Sequence, residues 1–60
     1  MNATSRKTSE EILNEAKTFY NTVRNSGSRP TWSDYEHFKK MLHNEGWFGY
    51  EFQLAKILHI

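Results

Sequence analysis

Trp47-Phe48-Gly49-Tyr50-Glu51-Phe52, running on into Gln53-Leu54-Ala55-Lys56-Ile57-Leu58-His59-Ile60, is the stretch whose reading decides the fold. Two periodicities compete in it. As a helix from about Gly49, at 100° per residue, it gathers Trp47, Tyr50, Leu54, Ile57 and Leu58 within about 100°, while Phe48, Phe52 and Ala55 point elsewhere. As a strand, Phe48, Tyr50, Phe52 and Leu54 alternate with Gly49, Glu51 and Gln53 at a period of two. A lone strand has no partner within this chain and would need one from another molecule. Leu54-Ala55-Lys56-Ile57-Leu58 is composed of good helix formers. The helix is therefore the expected form, and with it an all-α chain.

Upstream, Thr8-Ser9-Glu10-Glu11 matches a capping box: the Thr8 hydroxyl can accept from the Glu11 amide while the Glu11 carboxylate reaches back. Glu10 and Glu11 also suit the positive end of a helix dipole. A helix should run from there to about Asn25, with Asn25-Ser26-Gly27-Ser28 as its stop. Ile12, Leu13, Ala16, Phe19, Tyr20 and Val23 fall within about 120° on it. Pro30 biases Arg29 away from helical angles. A second helix can be capped by Thr31 or by Ser33, and Ser33-Asp34-Tyr35-Glu36 is the preferred box. Tyr35, Phe38, Met41 and Leu42 share its stripe. Trp32 would lie just outside it, folded over the start of the core. Glu36 and Lys40 have the spacing of an i,i+4 ion pair. Asn44-Glu45-Gly46 closes the helix, with Gly46 fitted to a left-handed terminus.

The expected architecture is an antiparallel helical hairpin closed by a third, aromatic-rich C-terminal helix, since a short connector makes neighbouring helices antiparallel. Residues 1–7 (MNATSRK) are expected to be a disordered polar tail and residues 8–60 a single small domain. Ile12, Leu13, Ala16, Phe19, Val23, Tyr35, Phe38, Leu42, Leu54 and Leu58 should form the core, with Trp32 and Trp47 over its ends.

Composition narrows the function classes. The chain has 60 residues, no cysteine and a net charge of +1. Without disulfides or thiolate metal sites, stability must come from apolar burial. The near-balance of charge argues against a protein held mainly by phosphate contacts. No apolar run approaches the roughly 20 residues of a membrane span, and Met1 to Lys7 lacks the apolar core of a signal peptide. The expected location is the cytoplasm.

No catalytic constellation is found. The seven carboxylates lie mostly at helix starts or on polar faces, no G-x-S-x-G turn is present, and the three glycines are isolated. No cofactor is implied. His37 and His43, six residues apart on one helix, diverge by about 120° and cannot share a metal, and His59 is expected to be solvated near the C-terminus.

Two binding readings are left. The chain carries nine aromatic residues, two Trp, three Tyr and four Phe. A domain of this size buries only roughly 60% of the surface its unfolded form exposes. Some rings should therefore face a partner, and Trp47, Phe48, Tyr50 and Phe52 are the candidate protein-binding residues, with a second copy of the chain as the simplest partner. The expected function is a non-enzymatic, self-associating interaction module, by its size a regulatory or accessory protein. The alternative is a small nucleic-acid-binding regulator using Arg24, Arg29, Lys39 and Lys40, which a helical hairpin would have to bring together at one end.

Overall fold

A computed structural model describes residues 7–60. The chain is all-α: among the described residues the helices are α1 (Ser9–Asn25), α2 (Trp32–Asn44) and α3 (Glu51–Leu58), and every pair of them packs together.

The helix starts follow from local chemistry. The Thr8 hydroxyl accepts from the Glu11 amide at 3.1 Å, and the Thr8 amide donates to the Glu11 carboxylate at 2.9 Å. This satisfies two of the donors that a helix start leaves without intrahelical partners. At α2 the expected box is displaced by one of the alternatives. Asp34, not Glu36, reaches back, accepting from the Thr31 amide at 2.9 Å and from its hydroxyl at 3.2 Å. Thr31 is extended (φ −114°, ψ 175°), directly after the buried Pro30. Starting at Thr31 adds residues to the helix, and Ser33 and Glu36 become interior positions. Glu36 then pairs with Lys39 at 3.5 Å rather than with Lys40. Trp32 is the first residue of α2 and is 67% exposed, edge-on to Tyr35 at 5.4 Å. It does not cover the core, because its place inside the helix turns it away from the Phe38–Leu42 stripe.

Gly46 ends α2 in the left-handed region (φ 85°), as its position requires. Its amide donates to the His43 carbonyl at 3.0 Å and the Trp47 amide to that of Leu42 at 2.8 Å. This pattern turns the chain so that Trp47 comes back toward the bundle. His59 repeats the manoeuvre after α3 with a side chain in place (φ 59°), and the Ile60 amide donates to Ala55 at 3.0 Å.

Contacts between helices give the topology. Trp47 Nε1–H, past the end of α2, donates to the Lys7 carbonyl before α1 at 2.8 Å. The two helices are therefore antiparallel. Tyr20, late in α1, stacks on His59 after α3, with centroids 4.4 Å apart and planes 20° apart. Leu13, early in α1, shares a groove with Gln53 and Ile57. The third helix thus runs in the same sense as the first, giving an up-down-up bundle.

Ile12, Ala16, Phe38, Leu42, Leu54 and Leu58 are buried, all six from the expected core. Leu13, Phe19, Tyr20, Tyr35, Met41, Trp47, Tyr50 and Ile57 pack around them partly exposed. Phe19 meets Phe38 at 5.6 Å. Val23 is only half-buried and stands apart from this cluster, in the last turn of α1 beyond the level at which α3 ends. Among the described residues no polar or charged residue is buried.

Of the expected tail, residues 1–6 lie outside the described residues. Lys7 belongs with the folded chain. Its carbonyl accepts from Trp47, and its ammonium lies 2.7 Å from the Glu15 carboxylate. That hydrogen bond to Glu15 is the main cause raising the Lys7 pKa above its usual value. A polar run gives no sign of a donor forty residues away, so only the three-dimensional fold reveals this contact.

Candidate interaction surface

The segment from Gly46 to Phe52 links α2 to α3, and its backbone decides which rings face out. Gly49 adopts φ 87°, a conformation that a residue with a Cβ enters only at a cost. With Gly46 and Gly49 both left-handed, the short chain between them sends alternate rings to opposite sides. Trp47 and Tyr50 turn inward, edge to face with centroids 6.5 Å apart, and pack on the core. Phe48 turns outward and is 68% exposed. Phe52, on the outer face of α3, is 76% exposed. The four candidate binding residues therefore divide evenly between core and surface.

The two outward phenyls are not loose. Phe48 rests against the His43 ring, centroids 4.9 Å apart. His43 Nε2 is 2.5 Å from a Glu51 carboxylate oxygen. The carboxylate can only accept, so this nitrogen carries the proton. The bond ties the last turn of α2 to the first turn of α3 and holds the Phe48 loop between them. Lys56 places its ammonium 5.8 Å from the Phe52 ring centre, a cation–π contact one turn along α3.

Glu51 has its pKa lowered, first by the hydrogen bond from His43 and then by its own backbone amide. A depressed carboxyl contributes stability above its unfolded value and loses it as pH falls through the lower folded value. The contribution is thus complete above about 4.5 and fades below it. Acid unfolding monitored by circular dichroism should show this, and Glu51→Gln should flatten the dependence on pH over that acid window. An unchanged acid limb in the variant would mean the pair does not hold α3 to α2.

Of the three histidines, His37 and His59 are exposed, as expected for His59, and His43 is half-buried. His43 is paired with Glu51 and His59 is stacked on Tyr20, with the Tyr20 hydroxyl 3.4 Å from Nδ1. No group of three metal-ligating side chains occurs among the described residues.

The four basic residues spread along the bundle. Arg24 lies in the last turn of α1 and Arg29 in the connector. Lys39 and Lys40 come seven and eight residues after Trp32, about 10–12 Å along α2 at the usual rise. Lys39 is engaged by Glu36 and lies 5.7 Å from the centre of the Tyr35 ring.

Sequence reading missed one feature. A groove of about 350 Å³ opens between α1 and α3. Leu13 and Ile57 supply its apolar lining, Glu10 and Lys17 stand on the α1 side and Lys56 on the α3 side. Its trace in the sequence is slight: Leu13 and Ile57 lie at the edges of their apolar stripes, where burial is incomplete.

No helix among the described residues is long and apolar enough to cross a membrane. Comparison with protein-family models, with curated proteins and with solved structures finds no match to this chain.

Proposed function

We propose that this chain is a non-enzymatic protein-interaction module that associates with a second copy of itself through Phe48 and Phe52, acting as a small regulatory or accessory protein in the cytoplasm. One observation carries the reading. Two phenyl rings four positions apart are each about two-thirds or more exposed, although the bundle already has six buried residues at its centre. Exposed aromatic rings of this kind are enriched at the centres of protein interfaces. Trp47 and Tyr50 support the surface from beneath, by fixing the loop that presents Phe48.

The double change Phe48→Ser with Phe52→Ser tests this. Both rings are exposed, so the variant should remain folded with a helical circular dichroism spectrum. Sedimentation over a dilution series should show the wild-type chain passing from dimer to monomer and the variant monomeric throughout. A folded variant with the same mass profile as the wild type would remove these rings from any interface.

A further inference from the structure

The groove between α1 and α3 and the Phe52 ring share α3, and each lacks what the other has. Phe52 is an apolar projection with 76% of its surface exposed. The groove is a hollow of about 350 Å³ with Leu13 and Ile57 in its lining. Phe52 cannot fill the hollow of its own chain. On the projection of α3 it stands about 140° from Ile57, with Lys56 between them about 40° from Phe52. It can fill that of a neighbour. We infer that Phe52 of one copy seats between α1 and α3 of a second copy, and the reverse, about a two-fold axis.

The inference rests on the self-association reading above and adds to it the receiving surface. Three observations favour a second copy as the occupant. Projection and hollow share α3, so one two-fold axis satisfies both at once, as a self-complementary contact demands. The charges around the hollow are of both signs, Glu10 and Lys17 on the α1 side and Lys56 on the α3 side. A rotated copy can set its Glu10 against Lys56 of the first, whereas a rim of one sign would repel its own image. Finally, a net charge of +1 opposes the approach of two identical molecules only weakly.

Charge reversal at exposed positions tests this geometry without disturbing the core. Glu10→Lys places like charges at both symmetric contacts of its own dimer, and Lys56→Glu does the same with the opposite sign. At low salt, each variant alone should dimerise at least about tenfold more weakly than wild type, because two rim contacts change together. An equimolar mixture should recover association to within about threefold of wild type, since the mixed dimer regains both opposite-sign contacts. Sedimentation reads the association, and thermal melts confirm that each variant is folded. If either reversal unfolds the chain, Glu10→Gln and Lys56→Gln replace them, and loss of the salt sensitivity of dimerisation is then the expected result.

The outcomes separate the two readings. A wild-type dimer that is indifferent to both reversals, or a mixture that is not rescued, overturns the seating of Phe52 in the groove and leaves self-association standing. A wild-type chain that is monomeric at every concentration overturns both.

Discussion

Leu54→Ala is expected to lower the midpoint of cooperative thermal unfolding by tens of degrees at a fixed protein concentration. Leu54 is completely buried, in contact with a cluster that draws residues from all three helices. Truncating a buried leucine costs about 2–5 kcal/mol, the removed atoms' burial plus the cavity left behind. A 60-residue domain has roughly 3–9 kcal/mol in total at the usual stability per residue. The loss is therefore comparable to the whole. At about 4–8 °C per kcal/mol for a domain of this size, the midpoint should drop by roughly 10–40 °C. Leu54→Met keeps the volume and should cost under about 1.5 kcal/mol. An alanine variant that melts within a few degrees of the wild type would show that α3 does not close the hairpin.

Trp47→Ala should have the second largest effect, about 2–4 kcal/mol, because the residue serves three purposes at once. Its ring packs on the core and against Tyr50. Its indole N–H donates to the Lys7 carbonyl at 2.8 Å. Its backbone amide closes the end of α2 on Leu42. Only the first two are lost on truncation, and the range lies below the cost for a fully buried Trp because the ring is partly exposed. Trp47→Phe isolates the hydrogen bond and should cost about 1 kcal/mol. Chemical denaturation of the three proteins measures both steps. Equal losses in the two variants would assign the whole effect to the N–H and none to packing.

The helical framework was legible because its signals are local. The Thr8–Glu11 box lies within four residues, the Ile12–Val23 stripe repeats at the helical period, and Gly46 marks its own conformation through the lack of a Cβ. The helix expected from about Gly49 forms over Glu51–Leu58, in keeping with its propensity and with the want of a pairing strand. Errors arose where two local choices were close in energy. Thr31–Asp34 and Ser33–Glu36 both have the box spacing, and the buried Pro30 next to Thr31 favours the earlier start. Trp32 followed from the same choice.

The candidate surface was legible only by half. Composition indicated surplus rings but could not divide Trp47 and Tyr50 from Phe48 and Phe52, since that division is set by two left-handed glycine positions. The bonds Trp47 to Lys7 and His43 to Glu51 span forty and eight residues, and neither leaves a periodic trace. The groove between α1 and α3 is also invisible in either helix taken alone.

The shortness of α3 has a kinetic consequence. Isolated helices below about 12–15 residues are marginal in water, and α3 has eight. It owes its form to Leu54 and Leu58 being held by the other two helices. Its amide protons should therefore exchange with deuterated solvent sooner than those in the middle of α1, through partial openings that detach this segment while the hairpin persists. Such an opening would withdraw Phe52 and one wall of the groove together, so that the proposed assembly and local unwinding would compete for the same eight residues.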